Sequence, residues 1–509
     1  MNKLGKLSIG ALVVAGVAGV AIVSSDGDTW QNVKENTIGL FLNSSNLVED
    51  GINKFLAEAK GNKYELKEFT NQGLEEAYWQ VNKVNQDNTI VDGILVFVSN
   101  GEIIKIPTHS EIIKGKTQNK EKTFSFGKII TTFNLQDIRQ LADHQLDDLK
   151  DDYVTLTTYL NKDGTASNVF DVLPFDIIDN NVKTTLKGLE LDIDISFISN
   201  EITNALFNFK GSVSDFSDEL LTVKPWTYSL QNHQKKYQGS ISEIKASLES
   251  GYGALTIAPI SFSGESYSSP LFLGVLQGQN ILGQSQVTIP SIQLKSGNHT
   301  WGASNIQLSS SLQENKEKLF NLNIKLASKI DGDWLARLIS LYSLGTMNIQ
   351  PMDINLDVSV NNLSADFINY LGNQNINFES ESPATQKEYM TFVTTELMHH
   401  LASLHTKLDL TTKSGDVNSD LNIKLKPEAK NLNIEEVVKT QGLNDALVLP
   451  YLIMNYQGEI NQDLANKLGL NFLLEREFNI APQDKKYKVN LSLQDNKLMM
   501  NDRLIQKFK

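Results

Sequence analysis

The chain has 509 residues, enough for roughly two to four ordinary domains or for one long repetitive body with a large core. Its 46 basic and 60 acidic residues leave a net charge of −14, which argues against nucleic acid or an anionic membrane surface as the main partner of the body. There is no cysteine, so disulfides, thiolate metal sites, cysteine nucleophiles and the lipidated cysteine of a bacterial lipoprotein all drop out.

Lys3 and Lys6 precede an apolar run from Leu7 to Val23, and Asp26 and Asp28 follow it. This bias holds the amino terminus in the cytoplasm and sends the rest across the membrane. As a helix the run reaches about 25 Å, adequate for a hydrocarbon core of roughly 30 Å with snorkelling lysines and local thinning. Cleavage as a signal peptide, giving a soluble periplasmic protein, is the alternative. Val23-Ser24-Ser25 is a poor small-x-small exit, however, and the run is longer than a usual signal core, so a retained single-pass inner-membrane anchor is expected over residues 1–25. Ala11, Ala15 and Gly19 recur every four residues and offer a narrow face for homo-oligomer packing, although small residues are common here and need no such role. No second run of membrane length follows.

Residues 26–60 form a membrane-proximal helical segment, with Val33, Ile38, Phe41, Leu42, Val48, Ile52 and Phe55 at helical spacing and a break at Asn43-Ser44-Ser45. From Lys63 the period shortens to that of strands: 64–69, 77–84, 90–98 and, after a turn at Asn100-Gly101, 103–106. A helix is predicted over 134–150, its Leu135, Ile138, Leu141 and Leu146 opposite an acidic face of Asp143, Asp147, Asp148, Asp151 and Asp152. Strict alternation then dominates, as in Leu189, Leu191, Ile193 and Ile195, in Leu255 and Ile257, and in Leu322, Ile324 and Leu326. One-sided strands of this kind pair antiparallel. Residues 61–330 are therefore read as an antiparallel β-rich periplasmic region.

Residues 331–509 continue the same elongated body with a loosely repeated strand, turn and amphipathic helix, at 322–342, 352–371, 421–441 and 456–468. Ser364, Asn433 and Asn461 stand where an N-cap would satisfy the first free amides of each helix. A longer helix is predicted from Pro383 to about Leu404, and the chain closes in a hairpin over 487–501 turning at Asp495-Asn496. The class expected is α+β and β-rich: an elongated antiparallel sheet of hairpins and strand-turn-helix units, with one N-terminal transmembrane helix.

Chemical motifs are sparse. Gly115-Lys116-Thr117 looks like the tail of a phosphate loop, but Ser110 stands where the first glycine belongs. Gly251-Tyr252-Gly253 lacks a third glycine, Thr256 standing in its place, and Ser263 in Phe262-Ser263-Gly264 has no activating neighbour. His399, His400 and His405 sit near the end of the predicted long helix, where Glu396 and His400, four apart, could share a metal; polar cover at a negative helix end is the simpler reading. The acidic group lacks the glycine and spacing of a calcium loop and reads as a solvated face. No catalytic, cofactor-binding or metal residues are assigned, no cofactor is implied, and an enzyme is not expected.

The stretches Asn305-Ile-Gln-Leu-Ser-Ser310, 322–335 (Leu-Asn-Ile-Lys-Leu-Ala-Ser-Lys-Ile-Asp-Gly-Asp-Trp-Leu), Phe69-Thr-Asn-Gln-Gly-Leu74, 413–425 and the hairpin at Asn496-Lys-Leu498 together resemble the YdgA-like family of Gram-negative envelope proteins, a family of unknown function. Gln72 replaces an arginine usual in the first motif, and Asn100-Gly101-Glu102 is the nearest equivalent of a later His-Gly-Pro, so the resemblance is to a divergent member. It implies an inner-membrane protein with a β-rich periplasmic body and carries over no catalytic residue. Three functions follow as expectations: a non-enzymatic structural, assembly or binding role in the envelope; a lipid or hydrophobic-ligand carrier using an apolar sheet groove; and a hydrolase with an unrecognised site. The partners expected are the inner membrane through 7–23 and an envelope protein or lipid.

Overall fold

The computed structural model describes residues 60–65, 75–99, 102–118, 124–141, 145–161, 165–179, 182–196, 202–217, 221–248, 253–266, 283–297, 299–332, 351–368, 383–434, 437 and 448–508. The anchor with Ala11, Ala15 and Gly19, the membrane-proximal helices, the stretch 69–74, Asn100-Gly101 and the helix expected after Gly332 lie outside them. Among the described residues no helix is long and apolar enough to cross a membrane. The body is β-rich and its strands pair antiparallel, as the alternation predicts.

Chain contacts divide the body into two compact units, the first with described residues up to Ser242 and the second formed by Glu243–Ser268 and Asn280–Lys509. The boundary expected at 330/331, where alternation gives way to the strand-turn-helix pattern, falls inside a strand of the second unit that is paired on both edges.

In the first unit the strands are β1 (Lys63–Glu65), β2 (Glu76–Val84), β3 (Ile90–Ser99), β4 (Glu102–Gln118), β5 (Phe124–Phe133), β6 (Val154–Asn161), β7 (Thr165–Val172), β8 (Phe175–Asp179), β9 (Val182–Ser196), β10 (Ile202–Val213), β11 (Phe216–Ser217), β12 (Leu221–Val223), β13 (Trp226–His233) and β14 (Lys236–Ile241). Strands β1 to β7 pair in chain order, β9 pairs with β7, β8 and β10, and β13 joins β10 to β14. One face is sealed: Leu95, Ile106, Leu156 and Phe170 meet Phe133, Leu135, Ile138, Leu146 and Leu149 in one buried cluster. Gly93 is required by close approach, since a Cβ there would collide with the indole nitrogen of Trp79 and crowd the Gln80 carbonyl.

Two sequence expectations are corrected here. The strand expected at 103–106 runs to Gln118, because its inward positions Thr108 and Ser110 are polar yet satisfied, Thr108 by the Trp79 indole at 3.1 Å and Ser110 by Thr131 at 2.8 Å. The helix expected over 134–150 is only α1 (Gln136–Leu141). Asp151 accepts from the Leu135 amide at 2.9 Å and pairs with Arg139 at 2.7 Å, while Arg139 also donates to the Leu149 carbonyl at 2.8 Å, so the segment folds back on itself and turns Leu146 and Leu149 into the core.

The second unit contains β15 (Ile244–Leu248), β16 (Gly253–Ile257), β17 (Ile260–Ser266), β18 (Gly283–Ser296), β19 (His299–Glu314), β20 (Phe320–Gly332), β21 (Met352–Leu363), β22 (Ser403–Thr412), β23 (Gly415–Leu425), β24 (Leu452–Asn461), β25 (Lys486–Gln494), β26 (Lys497–Met500) and β27 (Arg503–Lys507). From β18 to β27 each strand pairs with the next, and β16 and β17 share the other edge of β18. Helix α2 (Pro383–His399) stops five residues before its predicted end. Leu401 takes a left-handed φ of 53° and the Ala402 amide bonds back to the Leu397 carbonyl at 2.9 Å, a helix-terminating turn that releases the chain into β22. Helix α3 (Gln462–Lys467) follows β24, with Asn461 accepting from the Asp463 amide at 3.0 Å. Ser364 likewise accepts from the Phe367 amide at 3.0 Å, so the caps expected at Ser364 and Asn461 are in place, while most of the helix expected after Asn433 lies outside the described residues.

Candidate binding surface

The register of the second sheet places a row of large apolar residues side by side. Phe262 stands opposite Val287, Val287 opposite Leu308, Leu308 opposite Leu326, Leu326 opposite Leu356 and Leu356 opposite Leu408. Paired residues share a face, so the six form a ladder across β17 to β22, about 24 Å long at roughly 4.8 Å per strand. Neighbouring rows on that face are also rich in apolar residues: Ile324 pairs with Val358, and Leu312, Leu322, Val360, Leu404, Ile423 and Met454 line up in succession.

Helices cover this face at its two ends. Toward one end, Phe392, Val393 and Leu397 of α2 pack with Phe367 on Phe320, Leu363, Leu322 and Val360. Toward the other, Leu464 and Ala465 of α3, with Leu468 and Leu474, pack on Ile354, Leu410, Val417, Ile460 and Tyr487. Between them no ladder residue is fully buried. Leu308 is 40% exposed and Ile324 36%, an open apolar strip where a core would have none.

The opposite face is polar. Lys325 bonds Asp357 at 2.8 Å, Asn323 donates to the same carboxylate at 2.8 Å, and His405 lies 3.1 Å from Asp420. Hydrogen bonding from Lys325, with help from Asn323, holds the Asp357 carboxyl below the usual carboxylate range, and Lys486 and Lys488 do the same for Glu459. A sheet divided in this way can hold an extended apolar molecule on one side while staying hydrated on the other.

The residues singled out in the sequence are scattered. Gly115-Lys116-Thr117 lies in β4, where a register shift between Lys114 and Thr117 and a φ of 101° at Gly115 mark a bulge, not a phosphate loop. Ser263 lies in β17, and Gly253 opens β16. Glu396 and His400 do approach, to 3.6 Å, and Glu396 also accepts a short hydrogen bond from Ser364, which ties the end of α2 to the turn after β21. His405 is separated from them, on β22 rather than on the helix. In the acidic group Asp151 serves Arg139 and Leu135, and Asp148 accepts from the Asp176 amide at 3.0 Å, so these carboxylates order the α1 region instead of forming a merely solvated face; Asp143 lies outside the described residues. Among the described residues no group of three metal-ligating side chains converges.

Tyr487, completely buried, escaped the sequence reading. Its hydroxyl donates to Glu475, and burial together with that carboxylate pushes its pKa up to about 12. The signal was a tyrosine at an inward position of a strand, which needs a partner for its hydroxyl. Strand β27 also went unread, although Asn501 and Asp502, at φ 46° and 63°, form the tight turn that introduces it. No family model, no curated protein and no solved structure matches the chain.

Proposed function

We propose that this is a non-enzymatic binding protein of the bacterial cell envelope, held at the inner membrane by residues 7–23 with its body in the periplasm. In this reading the sheet of the second unit carries a lipid or other extended apolar ligand. The observation that supports carriage is the half-open ladder Phe262, Val287, Leu308, Leu326, Leu356 and Leu408. A purely structural sheet gains nothing from leaving such side chains in water, at about 25 cal/mol per Å² of apolar surface. The ladder is also longer than the depth of one leaflet, half of roughly 30 Å, so it can accept an acyl chain along its length. Support for the envelope location comes from the N-terminal run and from the resemblance of the residue patterns at 305–335 and 413–425 to the YdgA-like family.

The variant Leu308→Asp with Leu326→Asp puts carboxylates into the ladder and leaves 7–23 intact, so lipid held by the anchor cancels in the comparison. Organic extracts of the detergent-purified full chain, analysed by mass spectrometry, are expected to contain a lipid species depleted about tenfold in the variant. Equal amounts in both would remove the carrier reading.

A further inference from the structure

The ladder row continues past Leu408. Its next two positions are Ser419 and Gly458, after which it reaches Val489, a member of the cluster covered by α3 and the segment after it. In the row beside it Leu421 pairs with Tyr456, whose side chain leans out of its own row: a Cβ at Gly458 would collide with the Tyr456 hydroxyl and ring, so the hydroxyl lies over Gly458. Gly458 and Ser419 are directly opposed, which brings their Cα atoms to about 4.5–5.5 Å. Two hydroxyls thus meet where the open strip runs into its helical cover. Among the described residues neither hydroxyl has a hydrogen-bond partner, and both side chains are only partly buried. At the opposite end of the face Ser285 and Ser310 instead bond each other, at 2.6 Å.

We propose that the ligand of this face is an acyl ester, held with its hydrocarbon chain along the ladder and its ester carbonyl accepting hydrogen bonds from Ser419 and Tyr456. The proposal rests on the carrier reading above and adds the lipid chemistry that the strip selects. Charge decides the class. Neither of the two rows carries an acidic or basic side chain, from Phe262 and Gly264 at one end to Val489 and Leu491 at the other. The charged residues of these strands, such as Lys325, Asp357 and Asp420, lie on the opposite face. A carboxylate or phosphate seated at Ser419 would therefore give up water with no cation to replace it, which is costly. An uncharged carbonyl oxygen has two lone pairs, and the two hydroxyls can fill both. A ligand made of hydrocarbon alone would leave the same hydroxyls covered and unpaired. The charged headgroup of a phospholipid is no obstacle, because the strip is open to water at Leu308 and Ile324 and the headgroup can project from it.

Ester-linked and ether-linked phosphatidylcholines of equal chain length share a headgroup and differ at the carbonyl, so they isolate this contact. The unmodified full chain, the ladder variant Leu308→Asp with Leu326→Asp, and the variant Ser419→Ala with Tyr456→Phe are each purified in detergent with an equimolar mixture of the two lipids, and bound lipid is measured by mass spectrometry. Subtracting the amounts held by the ladder variant removes lipid bound at the anchor. The remainder is expected to favour the ester lipid about fivefold or more in the unmodified chain, on the strength of two hydrogen bonds, and to return to the supplied ratio in Ser419→Ala with Tyr456→Phe. Ladder-dependent lipid bound without preference, or a preference that survives the double substitution, would overturn the acyl-ester assignment and leave carriage standing. Absence of any ladder-dependent lipid would instead remove carriage itself, and the assignment with it.

Discussion

Strand β3 in the first unit and strand β20 in the second carry the same kind of alternation and meet different environments. Val91, Leu95 and Phe97 are sealed into a cluster roofed by α1 and the turn after it. Leu322, Ile324 and Leu326 instead lie on a face that, among the described residues, helices cover at its two ends. Alternation therefore reports which side of a strand is apolar and leaves open what covers that side. The first unit spends its apolar face on stability, whereas the second keeps part of it accessible.

Substitutions can sharpen this contrast. The largest effect is expected in the first unit: Phe170→Ala, which removes a fully buried ring packed edge-on against Phe133, should cost about 3–5 kcal/mol in equilibrium denaturation of that unit. Tyr487→Phe in the second unit removes the charge-assisted hydrogen bond from the buried hydroxyl to Glu475 and should cost about 1.5–3 kcal/mol by the same measurement. Ser364→Ala removes both a cap and the contact to Glu396, for a loss of about 1–2 kcal/mol.

Acid adds a smaller and signed effect. Asp357 has a depressed folded pKa, so its stabilising contribution is complete above the unfolded value of about 4 and is lost as pH falls through the lower folded value. Asp357→Asn should accordingly flatten the loss of stability of the second unit between neutral pH and pH values below about 4, read as denaturation midpoints across that range. The smallest effect is expected at the ladder, where Leu308→Ala should cost less than about 1 kcal/mol because its side chain already faces water. A loss comparable with that of Phe170→Ala would place Leu308 in a closed core and erase the contrast.

Much of this contrast was half legible in the sequence. The strands announced themselves by period, the turn at Asp495-Asn496 has both residues at positive φ, and Ser364 and Asn461 cap the helices they precede. Three things were hidden for physical reasons. Strand β4 continues through Thr108 and Ser110 because distant hydroxyl and indole partners satisfy them, which no local pattern encodes. His405 left the helix because Leu401 adopts a left-handed turn, a conformation that leucine composition does not foretell. The ladder depends on register, and register emerges only from pairing strands far apart in sequence, such as Leu326 with Leu356 and Leu356 with Leu408.

The most direct test of ligand carriage by the second sheet is a map of photo-crosslinks from a diazirine-bearing phosphatidylcholine to the full chain, read by peptide mass spectrometry. Adducts are expected at Phe262, Leu308, Leu326 and Leu356 and not at their polar-face neighbours Ser263, Ser309, Lys325 and Asp357. Adducts confined to residues 7–23, or spread evenly over both faces of the sheet, would contradict it.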